Sequence, residues 1–274
     1  MEYKVIAPND KDYPKKLKER LGKEHLGEEC PKLYCNGRLE LLDKFTMAVI
    51  SADSIGGVGL MATNQLLFTI REYAMNYIGA WHSVMETEIF RLGLWKKCHN
   101  TVTLFTAKGL AAETFESFLL DRFYPPMDKF PEREEYFRRA ENGELLMLSI
   151  TEPDEKKHLR QNILKRNWIA CCLADIVFVP YGPKGSKTYT VAKKVAKTNI
   201  PVFTLEHSEC TDLHKLGIVG YNRKSVEKFL EDAGIKKVTI PKETAETYIL
   251  SPEKYVSMVK EKKPTQIDLG ISKK

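Results

Sequence analysis

Short apolar runs recur along the middle of the chain, separated by glycine-bearing turns and amphipathic stretches. Thr46–Ser51, Met75–Ala80, Thr101–Phe105, Leu145–Ser149, Asp175–Val179 and Pro201–Leu205 are such runs. They do not alternate with polar residues, which predicts strands buried on both faces. Leu33–Gly37 predicts a further short strand ending in a turn, and Tyr13-Pro14-Lys15-Lys16-Leu17 opens a helix. The spacing predicts helices over Leu60–Tyr73, over Ser83–Leu92 with Ser83 as N-cap, and over Lys224–Ala233 ended by Gly234. Residues 111–142 are helical in pattern but must break at Tyr124-Pro125-Pro126, because proline donates no backbone hydrogen bond.

Strands that alternate with helices imply a mostly parallel sheet covered on both faces, a doubly wound Rossmann-like α/β fold. In such folds ligands bind at the carboxyl ends of the strands. The expected organisation is an N-terminal extension over 1–42 packing on the core, a Rossmann-like domain over 43–235, and a basic, irregular appendage or tail over 236–274. That last segment carries Pro241, Pro252 and Pro264 among many lysines.

Composition narrows the class. The chain has 274 residues, 43% hydrophobic and 29% charged, which is the balance of a globular protein rather than a disordered one. A net charge of +6 permits an anionic partner without requiring one. No apolar run approaches the roughly 20 residues that span a bilayer. The opening Met1-Glu2-Tyr3-Lys4 does not read as a signal peptide. A cytoplasmic protein with no membrane association is therefore expected. The six cysteines form no CxxC pair and are expected to be reduced, with Cys171 and Cys172 as small buried residues.

The densest chemistry lies over 166–205, a helix–strand–loop–helix–strand unit. After the strand Asp175–Val179 comes Pro180-Tyr181-Gly182-Pro183-Lys184-Gly185-Ser186-Lys187-Thr188. Val191, Ala192, Val195 and Ala196 then mark one apolar face of a helix. A helix N-terminus at this place aims backbone N–H groups and roughly half a positive charge at whatever sits in the loop. Gly182 and Gly185 allow close approach of an anion, Ser186 and Thr188 offer hydroxyls, and Lys184 and Lys187 add charge. The loop is not a Walker A motif, so ATP hydrolysis is not expected. The plainer reading, a Gly/Ser-rich strand-to-helix turn, is common in α/β folds.

Upstream stands Arg166-Asn167-Trp168-Ile169-Ala170, followed by Ala174-Asp175-Ile176-Val177-Phe178-Val179, Lys184-Gly185-Ser186 and Thr188. This ordered set resembles the DNA-processing protein A (DprA, or Smf) family. Its signature here is an Arg-Asn pair, an Ile-Ala, an Ala/Ser-Asp opening a strand, and a Gly-Ser-x-x-Thr-type loop. Tyr13-Pro14, Leu33-Tyr34, Gly37, Gly109-Leu110, Tyr124-Pro125 and Leu148-Ser149 agree more loosely, so the resemblance spans about residues 13–220. Two motifs depart. Ser51-Ala52-Asp53 stands where the family carries Gly-Ser-Arg. Ile78 to Met85, with Gly79 but also Trp81 and His82, stands where it carries Ser-Gly-Gly-Ala-x-Gly-Ile-Asp. No winged-helix segment is recognisable after the Rossmann-like region.

The resemblance implies single-stranded DNA binding in DNA processing, recombination or natural transformation. It also implies homodimerisation, loading of a recombinase, and no catalysis. The residues it assigns to nucleic acid or phosphate are Arg166, Asn167, Lys184, Gly185, Ser186, Lys187, Thr188 and Gly79, with no cofactor and no metal. An alternative within the same fold superfamily is a small-nucleotide sensor or nucleotide hydrolase. Trp81 and His82 are expected to crowd a compact ligand, which argues against it. The residues support an anionic partner independently: 153–199 holds ten Lys/Arg against three Asp/Glu. Trp81, Tyr181 and Tyr189 are candidates to stack on bases, whereas Trp168 reads as core and Lys193, Lys194 and Lys197 as solvated helix backs. Glu86 and Glu88 lie near the expected pocket but read better as a solvated helix face than as general bases. His207, Cys210 and His214 are metal-ligand types without standard zinc spacing or a fourth ligand.

Overall fold

The apolar runs do form the centre of a sheet, but the sheet is wider than they predict. The computed structural model describes residues 2–22, 26–94, 98–122 and 132–238. The expected break at Tyr124-Pro125-Pro126 and nearly all of the expected 236–274 appendage lie outside the described residues. Nine strands form one sheet: β1 (Lys4–Ile6), β2 (Leu33–Gly37), β3 (Thr46–Val49), β4 (Asn76–Gly79), β5 (Thr101–Phe105), β6 (Leu145–Ser149), β7 (Ile176–Phe178), β8 (Val202–Leu205) and β9 (Val219–Tyr221). Their order is β1-β2-β6-β5-β4-β3-β7-β8-β9. From β6 to β9 every pairing is parallel, whereas β1 pairs with β2, and β2 with β6, antiparallel. The segment 1–42 thus adds two strands to one edge of the sheet.

The chain runs outward from β3 through β4 and β5 to β6, then returns to the other side of β3 at β7. The strand order therefore reverses between β3 and β7, which is the topological switch point where doubly wound folds open a crevice.

Both faces are covered, as predicted for strands apolar on both sides. Alternation along β3 shows how. Met47 and Val49 face one cluster with Leu66, Ile70, Phe90, Tyr136 and Leu230. Ala48 points to the other, with Leu17, Trp168, Ile169, Val191 and Val195. The first cluster draws on α2 (Gly57–Ile70), α3 (Val84–Gly93), α4 (Phe115–Arg122), α5 (Arg133–Glu141) and α9 (Arg223–Asp232). The second draws on α1 (Lys15–Leu21), α6 (Arg160–Leu173), α7 (Lys187–Val195) and the short α8 (Thr211–His214). Trp168 is core, as expected: its ring lies beneath the Lys194 ammonium and its Nε1 donates to Glu28. Lys194 is thus held by Trp168 and by an ion pair with Glu28 rather than merely solvated. Cys171 and Cys172 are buried free thiols, and burial raises both above the ordinary thiol range, Cys172 to about 12.

Asp175 anchors the sheet near its switch point. Its carboxylate accepts from the Thr46 backbone N–H and from Lys16, each at 2.7 Å, joining the starts of β3 and β7 to α1.

Candidate nucleic-acid interface

Helix α2 starts later in the sequence pattern than in the structure because its first turn holds two glycines and an exposed Val58. Gly56 caps it, and Gly57 and Gly59 follow. The Glu209 carboxylate lies against Gly56 and Gly59, so a side chain at either position would have to displace it. An internal acid therefore sits where a glycine-rich helix start after the first parallel strand would otherwise approach a ligand anion. A second helix start lies on the other side of the switch point.

There, α7 begins at Lys187 and carries the predicted apolar face at Val191, Ala192 and Val195. Ser186 is the N-cap, its Oγ accepting from the Tyr189 backbone N–H at 3.0 Å. In a helix the N–H groups of the first turn have no intrahelical acceptor, so those of Lys187 and Thr188 are available to an anion. Gly185 has φ +90°, a left-handed conformation that glycine adopts without strain, so this residue sets the turn into the helix.

The crevice is a cavity of about 530 Å³. It is bounded by Ser51, Ala52 and Asp53 after β3, Ala80 and His82 after β4, and Glu86 on α3. His158, Arg160, Ile163, Arg166 and Asn167 bound it from the α6 side, and Gly185 to Thr188 from α7. The Ala52 N–H donates to the Tyr181 carbonyl at 2.9 Å, stitching the loop after β3 to the loop after β7. Six of the eight sequence-assigned residues thus converge: Arg166, Asn167, Gly185, Ser186, Lys187 and Thr188. Two stand apart. Gly79 is buried inside β4, where a Cβ would press on the Val49 carbonyl and the Trp81 ring, so its smallness serves packing. Lys184 is exposed and outside the lining, and its backbone N–H donates to Asp212.

Arg166 is 1% exposed and reaches the end of β5, donating to the Phe105 carbonyl at 2.9 Å. A buried cation needs compensating acceptors or anions. Glu86 supplies part of that charge, since the two interact electrostatically.

Glu86 corrects the expectation of a solvated acid. It is buried, and its carboxylate accepts from the N–H of Ser51 and of His82, both at 2.8 Å, and from Ser83 at 3.5 Å. Ser83 returns the bond as N-cap, completing a capping box. Burial pushes the Glu86 carboxyl up, against the opposing pull of those N–H groups and of Arg166. This carboxylate ties the ends of β3 and β4 together. Three backbone N–H groups on its two oxygens give it a positioning role. Glu88, by contrast, pairs with Arg91 on the same helix.

Trp81 corrects a second expectation. It neither stacks in the cavity nor crowds it. The side chain is fully buried beneath the sheet, donates Nε1–H to the Thr103 carbonyl at 3.1 Å, and packs against Phe90. Its φ of +60° is the sole positive value among the described non-glycine residues. That backbone turn sends Trp81 inward, while Ala80 and His82 on either side face the cavity. Tyr181 and Tyr189 are also outside the lining, and Tyr189 packs on the core. The flat rings that do line the cavity are the imidazoles of His82 and His158, 5.5 Å apart and edge to face. Seventy-five residues separate them in the chain, so no local motif announces the pair.

The possible metal ligands face other tasks. His207 caps a short turn, Cys210 donates to the Pro180 carbonyl, and His214 bonds the Leu205 carbonyl.

No family model matches the chain, and no curated protein matches it significantly. Solved structures do. DNA processing protein A from Streptococcus pneumoniae superposes with a TM-score of 0.63 at 18% identity, over 86% of this chain and 75% of that one. The chain shares the fold of DNA processing protein A. The Helicobacter pylori protein agrees, with a TM-score of 0.60 at 21% identity over 85% of this chain and 97% of that one. That second DprA has a single-stranded DNA binding mode. Among the described residues, no helix is long and apolar enough to cross a membrane.

Proposed function

We propose that this chain is a DprA-like protein that binds single-stranded DNA through the switch-point cavity, without catalysis. The observation that carries the proposal is convergence: Arg166 and Asn167 from α6 meet the N-terminus of α7 across one cavity, on a DprA fold. Donors and cations dominate the lining, and a sequence-tolerant strand binder needs such a groove for the backbone. The single-stranded DNA binding mode of the H. pylori neighbour supports the same reading. Homodimerisation, a recombinase partner and a role in recombination or natural transformation complete the proposal.

Fluorescence anisotropy with a labelled single strand tests it. Lys187→Ala weakens binding by about ten-fold, the ratio one charge-assisted contact supplies, while Lys184→Ala changes it less than about two-fold. Unchanged affinity in Lys187→Ala would remove the start of α7 from the binding surface.

A second reading, a small-nucleotide sensor or hydrolase, is favoured by one observation. Because Trp81 turns inward, the cavity stays open at about 530 Å³, within the range of small-molecule sites. On that reading a deoxymononucleotide raises Tm, as any ligand specific to the native state does. No shift at saturating concentration leaves the strand as the ligand.

A further inference from the structure

The cavity contains something that a groove for a passing strand does not require. His82, on the loop after β4, and His158, ahead of α6, bring two imidazoles together in a lining that already holds a phosphate loop. Among the described residues, the charged groups that line the cavity with this pair are Asp53 from the loop after β3, Glu86 from α3, Arg160 and Arg166 from α6, and Lys187 from α7. Glu86 is committed to backbone N–H groups. Asp53 is exposed among the lining residues.

An internal phosphodiester carries one fixed charge and two free oxygens. A phosphomonoester has three terminal oxygens and gains a second charge near about pH 6. Imidazole ring N–H groups can donate to such terminal oxygens. Donors converge on the cavity from three sides: the first turn of α7 with its hydroxyls, the guanidinium and ammonium groups, and the imidazole pair. Three sides suit three terminal oxygens. Asp53 opposes a second phosphate in the same space, which a continuing backbone would bring and a chain end would not.

We propose that the cavity is a phosphomonoester site, in which His82 and His158 help the start of α7 to grip the terminal phosphate of a single strand. This rests on the strand-binding reading above and deepens it. A free mononucleotide presents the same chemistry, so the experiment separates the two sources.

The test compares short thymidine oligonucleotides bearing a 5′-phosphate, a 3′-phosphate or only hydroxyl ends, with thymidine monophosphate as competitor. Near about pH 6.5 one phosphorylated strand binds about ten-fold tighter than the hydroxyl-ended strand, the ratio of one charge-assisted hydrogen bond. His158→Ala, at an exposed position, weakens binding of the phosphorylated strand about ten-fold and removes the preference, while the hydroxyl-ended strand loses markedly less; His82→Ala does the same. Competition by thymidine monophosphate at equal or lower concentration than the strand supports the site and makes the free nucleotide its source. Equal affinity for all strands, without response to either histidine variant, overturns the phosphomonoester site and leaves strand binding standing. Absence of binding by any strand while the mononucleotide binds sinks the strand reading alone, and absence of binding by both sinks the two together.

Discussion

Trp81→Ala lowers stability by about 3–5 kcal/mol, the range for deleting a buried aromatic side chain. The residue is fully buried, so the substitution removes packing against Phe90 and leaves the Thr103 carbonyl without its indole donor. Backbone strain makes the prediction sharper. At φ +60° a residue with a Cβ is held at a cost of about 1 kcal/mol or more, which glycine does not incur. Trp81→Gly opens a cavity as large but relieves that strain, so it is less destabilising than Trp81→Ala by about 1 kcal/mol. Urea titrations followed by circular dichroism measure both, with equal slopes confirming that the change is in stability. An alanine variant within about 1 kcal/mol of the parent would mean that the indole is not part of the core.

The second large effect lies at the buried pair. Arg166→Met costs about 3–5 kcal/mol, because it leaves the buried Glu86 carboxylate without its neighbouring cation and the Phe105 carbonyl without a donor. In a Glu86→Gln background the same change costs markedly less, since no buried charge is left behind; a double-mutant cycle reads the difference. The pH dependence follows from the direction of the Glu86 shift. Its folded pKa is raised, so between the ordinary carboxylate value of about 4.3 and the folded value the native state holds a proton that the unfolded chain has lost. This contribution is therefore fully present below the unfolded value and is lost as pH rises through the folded one. Arg166→Met removes a charge that holds the Glu86 pKa down and extends the loss to higher pH. Glu86→Gln abolishes it, which urea midpoints at about pH 5 and about pH 8 detect. Additive effects in the cycle would show that Arg166 and Glu86 do not sense one another.

Much of the fold is legible because its interior strands are apolar on both faces. Leu33–Gly37, Thr101–Phe105 and Leu145–Ser149 match their strands residue for residue. β1 and β9 escape the pattern, since each is a three-residue edge strand with little of its length buried. Arg166, Asn167 and the loop before α7 are also legible, through an ordered motif whose members are local in sequence; the capping role of Ser186 is not. Glu86 is not, because an acid in the first turn of a helix ordinarily faces water. The one signal that could have found it is its spacing from Ser83, which permits the capping box. Trp81 is misread for a different reason: a large aromatic in the place of small residues looks like an obstruction, and its left-handed backbone is invisible in the sequence. His82 and His158 meet only through the topology that brings the end of β4 to the start of α6.

The central claim is that nucleic acid occupies the crevice between β3 and β7. Hydrogen–deuterium exchange with and without saturating single-stranded DNA tests it most directly. Protection is expected at Ser51–Asp53, at His82, and across Gly185–Thr188, the segments that line the cavity. The ends of β8 and β9 offer a rival groove of about 470 Å³ lined by Glu206, Asn222, Arg223 and Lys224. Protection confined to that groove, with Gly185–Thr188 unchanged, would contradict the account.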